Sequence, residues 1–158
     1  MATTIDTVQL NGCYFEAAYD VLEQSVKGNY SKVRYYGILH VTNNYVSWSS
    51  GSAYVYFSGN VQLGTYYSKG DYTVVQYEHI NQHNSDGSLT IGVNFGLSSS
   101  FTSGGKTDVP VTFPPISRSF SKAPVIELNK NNEVSITCDW TTSEVCSGIR
   151  WKKETDIG

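Results

Sequence analysis

Charged side chains are scarce in this chain of 158 residues. Asp, Glu, Lys and Arg make up 16% of it, the formal net charge is -3 and the isoelectric point is about 5.5. Nucleic acids and anionic membranes are bound through clusters of Lys and Arg. We therefore expect neither nucleic acid nor membrane as a partner.

Long hydrophobic runs are missing as well. Residues 1–8 contain no basic stretch followed by an apolar one, and nowhere do 18 apolar residues follow one another. A secretory signal would show the first pattern, and a transmembrane helix would need the second. The sequence therefore predicts neither secretion nor membrane insertion.

Cysteine is rare, with Cys13, Cys138 and Cys146 as the three examples. An odd and sparse set is unlike the disulfide framework of a small secreted domain and fits a reducing compartment. Cys138 and Cys146 could bridge a hairpin, but they lack the paired spacing of a zinc site. We expect free thiols and no metal or cofactor, and whether Cys138 pairs with Cys146 stays open.

The clearest pattern is the alternation of apolar and polar residues at 88–97. Its apolar members are Leu89, Ile91, Val93, Phe95 and Leu97. A period of two gives an extended strand with one buried face. The preceding residues suit a tight β-turn, because Asn84 and Asp86 can bond the local backbone and Gly87 permits positive φ. We therefore assign Asn84, Asp86 and Gly87 a structural role in the turn.

Other segments show the same period. Residues 31–41 have a two-residue period and predict a long strand, and further strands are predicted at 45–48, 53–57, 61–66, 71–80 and 109–113. Residues 13–26 fit a strand or a helix face, and the surrounding β pattern favours a strand. Short strands at this spacing predict an all-β fold, an antiparallel β-sandwich of Ig-like or jelly-roll type.

Two adjacent prolines, Pro114 and Pro115, mark a change in composition. Proline cannot donate to a sheet ladder, so the pair should end the first sheet. We predict a β-sandwich over residues 1–115, a linker over 116–124, and the start of a second β-module over 125–158.

The sequence contains no complete catalytic motif among those considered. The run Gly104-Gly105-Lys106-Thr107 resembles the end of a phosphate-binding loop, but Ser100 stands where the first glycine belongs. We interpret that run as an exposed hairpin connection. His40 and His79 have no nucleophile motif nearby, so we expect no enzyme.

Tyrosine is abundant and confined to one part of the chain. All twelve lie between Tyr14 and Tyr77. Exposed aromatic rings beside Asn and Ser form platforms for sugars or partner proteins, although tyrosines also fit strands for packing alone. The candidate contact residues are Tyr36, Trp48, Tyr54, Tyr56, Tyr66 and Tyr67.

Three segments, taken in order, resemble one family. They are Gln24-Ser25-Val26-x-x-Asn29-Tyr30-Ser31-x-Val33, His83-Asn84-Ser85-Asp86-Gly87-Ser88-x-Thr90-Ile91, and Phe113-Pro114-Pro115-Ile116-Ser117-Arg118. Over about residues 14–120 the chain is similar to siphophage tail proteins, the tail-fibre or minor structural proteins of phages of Gram-positive bacteria. The third segment departs from the family, whose more usual form is Leu-Pro-x-Ile-Pro-Arg.

The resemblance implies a non-enzymatic virion component of the tail tip or a tail fibre, assembled in the bacterial cytoplasm. Its partners would be other tail proteins, further copies of itself, most often as a trimer, and a host cell-wall glycan. Two alternatives stay open. A carbohydrate-binding module for cell-wall polysaccharide would show a shallow groove lined by exposed Tyr or Trp. An Ig-like domain of a bacterial adhesin would carry a signal peptide on its parent gene.

Overall fold

The computed structural model describes residues 1–117, 122–128 and 134–139, which form ten β-strands and no helix. The strands are β1 (Thr3–Leu10), β2 (Cys13–Ser25), β3 (Tyr30–Ser47), β4 (Gly51–Val55), β5 (Val61–Gln62), β6 (Tyr66–Gln82), β7 (Thr90–Ser99), β8 (Ser103–Thr112), β9 (Lys122–Leu128) and β10 (Val134–Asp139). The all-β fold predicted from the sequence is confirmed.

Strands β1 to β8 build two antiparallel sheets of four strands each. The first has the order β1-β2-β3-β6 and the second the order β5-β4-β7-β8. The chain passes from one sheet to the other after β3, after β5 and after β6. Strands β9 and β10 pair with each other in a separate antiparallel sheet, with Val134 opposite Leu128.

The core lies between the two four-stranded sheets. Along β3 every second residue from Val33 to Val41 is buried, which is the face that the alternation predicts. The second sheet contributes Phe95, whose ring centroid lies 6.3 Å from that of Phe15. Gly37 leaves room for this packing, since a Cβ there would come within 2.7 Å of the Phe15 ring. Each fully buried large apolar side chain of this kind stabilises the fold by about 1.5–3 kcal/mol.

Residues 13–26, whose pattern fits a strand or a helix, form strand β2. Strand β2 pairs with β1 along one edge and with β3 along the other, so its backbone N–H and C=O groups find partners on both sides. Phe15 and Ala17 enter the core while Glu16 lies on the outer face. Neighbouring strands therefore decided an assignment that periodicity left open.

We predicted that the Gly104-Gly105-Lys106-Thr107 run is an exposed hairpin connection. This prediction is wrong, because the run is part of strand β8. A Cβ at Gly105 would lie 2.7 Å from the carbonyl oxygen of Phe95, and one at Gly104 would lie 2.9 Å from Leu10. Both glycines therefore permit close backbone packing, of β8 on β7 and of β8 beside β1. The β7–β8 turn comes earlier, at residues 100–102.

The sandwich has two ends, which we name the distal end and the exit end. The turns β1–β2 and β7–β8 and the end of β3 lie at the distal end. The chain leaves β8 at the exit end, where the Ile116 N–H donates to the Gly87 carbonyl.

Ile116 is buried, so the sandwich extends one residue beyond the expected 115. Strand β9 begins at Lys122, inside the segment 116–124 that we expected to be linker.

Of the cysteines, Cys13 is a free and buried thiol. Burial raises the pKa of this thiol, which makes the thiolate scarce and the side chain unreactive. Cys146 lies outside the described residues, and with it the question of a disulfide to Cys138.

Candidate functional site

Trp48, expected to be exposed, is buried with an exposed fraction of 6%. The alternation of β3 is interrupted at residues 42–45 and then resumes with Val46 and Trp48 directed inward. The indole Nε1–H donates to the Gly64 carbonyl at 2.7 Å, and the ring packs on Tyr67 at 5.8 Å. Trp48 therefore anchors the β5–β6 connection and is not a contact surface.

Four of the other expected residues are half-buried: Tyr36, Tyr54, Tyr56 and Tyr67. The Tyr67 hydroxyl accepts the Gly64 N–H at 2.8 Å, and the Tyr56 hydroxyl accepts a hydrogen bond from the Asn81 amide at 3.1 Å. Tyr56 also has a positive φ of 56°. Strands and turns thus use most of these tyrosines for packing.

Tyr66 is the exposed member of the expected set, with an exposed fraction of 61%. Its ring stacks on Tyr45, with the centroids 5.5 Å apart and the planes at 17°. The register pairs Ser47 with Tyr66 and Tyr45 with Ser68, so the two tyrosines are diagonal neighbours across β3 and β6. Tyr45 is itself 56% exposed, so the pair projects into solvent at the distal end.

A groove of about 660 Å³ runs beside this pair, and we call it the distal groove. Its walls are residues 42–47 of β3 and Phe101 of the β7–β8 turn. Phe101 is 51% exposed. Tyr45 and Phe101 therefore give the groove two aromatic surfaces, while Asn43, Asn44 and neighbouring hydroxyls give it polar ones.

The β3 wall of the groove exists because the β3–β6 ladder is interrupted between Val41 and Tyr45. There the backbone N–H groups of Thr42 and Asn43 both donate to the Gly12 carbonyl at 3.1 Å. Gly12 has a φ of +77°, and a Cβ on it would lie 2.6 Å from the Asn43 amide nitrogen. Glycine at position 12 therefore leaves the space in which Asn43 is held.

The Phe101 wall is held by hydroxyl groups. Ser99 Oγ accepts the N–H groups of Phe101 at 3.2 Å and Thr102 at 2.9 Å. The Thr102 hydroxyl in turn accepts the Asn11 N–H at 3.1 Å, and the Ser49 N–H donates to Ser100 Oγ at 2.9 Å. The backbone of both walls is thus held by hydrogen bonds to neighbouring turns.

Tyr45 and Phe101 are not among the contact residues that we expected from the sequence. A signal was present at both places: Asn43-Asn44 interrupts the alternation of β3, and Phe101 stands alone in a run of Ser and Thr. At such an interruption the alternation no longer directs a side chain into the core. Their juxtaposition, however, depends on two strands that are about 55 residues apart in sequence.

The predicted turn residues lie at the exit end, away from the distal groove. Asp86 Oδ1 accepts the Ser88 N–H at 2.9 Å and the Ser88 hydroxyl at 2.6 Å, and these hydrogen bonds lower the pKa of its carboxyl group. Gly87 has a φ of 88°. The Asn84 N–H donates to the Ser88 carbonyl and the Gly87 N–H to the Asn84 carbonyl. These contacts are those of a closed turn.

A buried polar network supports that turn. His83 Nδ1 donates to the Gly87 carbonyl at 2.7 Å, which leaves Nε2 to accept the Ser31 hydroxyl at 2.7 Å. Ser31 has no exposed surface, so this Ser–His pair cannot reach a substrate. Asn29 is buried too, and its amide donates to the carbonyls of His83 and Asn84.

His40 forms a second polar cluster on the outer face of the first sheet. Its ring nitrogens lie 2.7 Å from carboxylate oxygens of Glu16 and Asp71, and its ring stacks on Tyr14 at 4.3 Å. The cluster joins β2, β3 and β6.

Among the described residues, no three His, Cys, Asp or Glu side chains are arranged to hold a metal ion. The described part of the chain also offers no helix long and apolar enough to span a membrane.

Comparison of the chain with protein-family models, with curated proteins and with solved structures finds no match. The class of protein is therefore defined by its own fold, an all-β sandwich, and its candidate site is the distal groove with the Tyr45–Tyr66 pair.

Proposed function

We propose that this protein is a non-enzymatic recognition and assembly module of a bacteriophage tail, and that its distal end contacts the host cell surface. The observation that carries the proposal is the exposed and stacked Tyr45–Tyr66 pair beside the distal groove. Exposed aromatic side chains, clustered and backed by polar groups, are enriched at sites of recognition.

The orientation of the chain supports this proposal. The Phe113 N–H donates to Leu89 and the Ile116 N–H to Gly87, so the chain leaves the sandwich at the exit end. Modules that follow would lie on that side, and the distal end would remain free for a partner. The resemblance of the three ordered segments to siphophage tail proteins supplies the virion context and the expectation of a trimer with other tail proteins as partners.

A carbohydrate-binding module outside any virion is the second candidate, because the same groove with its aromatic walls favours it. Genome context separates the two candidates. A tape-measure gene upstream and a lysis cassette downstream would support the tail module, and a polysaccharide-degrading enzyme on the same polypeptide would support the alternative.

The test is retention of the purified protein on cell walls of Gram-positive bacteria. Tyr66→Ala should weaken retention by about 1 kcal/mol or more, roughly fivefold in Kd, as for an interface aromatic. Phe57→Ala is the matched control, since Phe57 is 68% exposed but follows the end of β4 that points away from the groove. Equal loss in both variants would contradict recognition at the distal end, and hydrolysis of the wall would contradict a non-enzymatic role.

A further inference from the structure

We propose that the distal groove binds a pyranose unit of an uncharged polysaccharide, with its ring against Tyr45 and Phe101 and its hydroxyls on Asn43 and Asn44. This inference rests on the proposed function and assigns the chemical class of its ligand.

The distal groove is uncharged. Its lining, residues 42–47 and Phe101, contains no Asp, Glu, Lys or Arg. Phosphate groups are bound through Arg, Lys or helix termini, and carboxylates through the same cations. The groove offers none of these partners, and the chain as a whole carries a net charge of -3. An anionic wall polymer would therefore meet no attraction there.

The polar side chains of the groove suit hydroxyl groups. The side-chain amides of Asn43 and Asn44 each provide donors and acceptors, and the hydroxyls of Thr42 and Ser47 provide both on one atom. A sugar hydroxyl also donates and accepts, so each one can be matched without leaving a charge uncompensated. Polar side chains of this type fix the orientation of a bound ligand.

The aromatic walls suit the apolar face of a sugar ring. Tyr66 supports the Tyr45 ring by stacking on it, so Tyr45 is held in place although it is more than half exposed. Phe101 stands across the groove from β3. The volume of about 660 Å³ falls within the range of roughly 300–1,000 Å³ found for small-ligand sites.

The groove is also pre-organised. Asn43 is held over Gly12, and the Phe101 turn is closed on Ser99 Oγ. A ligand that enters a fixed site loses less binding free energy to the ordering of side chains. A repeating saccharide could also engage several copies of the groove on the proposed oligomer, which would strengthen a weak single contact.

The experiment measures binding of the full chain to three probes. They are intact cell walls, walls from which hydrofluoric acid has removed the phosphate-linked polymers, and neutral oligosaccharides prepared from the intact walls. We expect binding to the intact walls and to the oligosaccharides, changed less than about twofold between low and high salt because no ion pair is formed. Tyr45→Ala should weaken binding about fivefold or more. Tyr45→Phe should retain binding, since it keeps the ring.

Asn44→Lys distinguishes the two ligand classes. It adds a cation at the groove, so it should weaken the binding of a neutral sugar and strengthen that of an anionic polymer. Thermal unfolding of each variant checks that these exposed positions leave the fold intact.

The outcomes separate the two proposals. Binding to intact walls but to neither the stripped walls nor the neutral oligosaccharides, or tighter binding by Asn44→Lys, would overturn the neutral ligand and leave the recognition role standing. Binding to neutral oligosaccharides without retention on any wall would support the groove and overturn contact with the host wall. Binding to none of the three probes would overturn both.

Discussion

At the scale of single residues, Asn81 connects two tyrosines inside the sandwich. Its Oδ1 accepts the Tyr35 hydroxyl at 2.6 Å, and its Nδ2 donates to the Tyr56 hydroxyl at 3.1 Å. Asn81 and Tyr35 are both buried. When a buried hydroxyl loses its acceptor, it is still removed from water but no longer has a hydrogen-bond partner. The resulting loss of stability is larger than the net contribution of one hydrogen bond.

We therefore expect Asn81→Ala to lower the free energy of unfolding by about 1–3 kcal/mol. The double variant Asn81→Ala with Tyr35→Phe should be less destabilised than the sum of the single variants, because the buried Tyr35 hydroxyl that would lose its acceptor is then absent. Urea denaturation of the four proteins measures this coupling. Strict additivity of the two substitutions would show that the hydrogen bond does not matter for stability.

At the scale of elements, the β1–β2 turn shapes the distal groove. Gly12 adopts a φ of +77° and accepts two N–H groups from the interrupted part of β3. A turn on one side of the sheet thus positions Asn43 on its neighbour. The groove depends on this turn even though Gly12 does not line it.

Gly12→Ala should therefore reduce stability and ligand binding together, since its Cβ would meet the Asn43 amide at 2.6 Å. Gly59→Ala is the matched control: Gly59 has a φ of +68°, and nothing lies within 4 Å of a Cβ built there. It should cost about 1 kcal/mol of stability through backbone strain and leave binding unchanged. Calorimetric unfolding and cell-wall retention of both variants test this, and unchanged binding by Gly12→Ala would argue against a role for Asn43.

At the scale of the whole molecule, tyrosine hydroxyls join the two sheets. Tyr77, on β6 of the first sheet, donates to the Val55 carbonyl of β4 in the second, and accepts the Phe57 N–H at 2.9 Å. Burial raises the pKa of Tyr77 to about 12, and burial also raises the pKa values of Tyr35 and Tyr56. Ionising these groups would place charges between the sheets.

This arrangement predicts a loss of stability in alkali. Between the unfolded pKa of about 10 and the higher folded pKa values, the folded state binds more protons than the unfolded state. The free energy of unfolding must then fall as pH rises through and above about 10. We expect part of the tyrosinate absorbance to appear only as near-ultraviolet circular dichroism is lost. Complete ionisation of all tyrosines with the dichroism intact would contradict this prediction.

One side of the sandwich is closed by contacts between the two sheets. Lys106 of β8 pairs with Asp6 of β1 at 2.8 Å, and this ion pair lowers the pKa of the Asp6 carboxyl group. Both side chains are substantially exposed, so we expect the pair to contribute about 0–1 kcal/mol. Its place beside Gly104, which packs on Val8 and Leu10, helps to keep the edges of β1 and β8 together and away from other chains.

Local pattern was sufficient for the strands themselves. The period of two at residues 31–41 and 88–97 allows only one backbone conformation with a continuous apolar face, and residues 31–41 lie in β3 and residues 90–97 in β7. The all-β class followed from the number and spacing of such segments. The position of Gly87 in a turn likewise needs only the residue types around it, since its φ is positive.

Tertiary structure alone decided which aromatic rings are exposed. Trp48 and Tyr66 are both aromatic residues next to Ser or Thr in sequence, yet one is buried by the β5–β6 connection and the other faces solvent. Exposure depends on which strand lies opposite, and that is set by contacts between residues far apart in the chain. The distal groove exists for the same reason, because Phe101 of the second sheet and Tyr45 of the first line it together only when the two sheets pack.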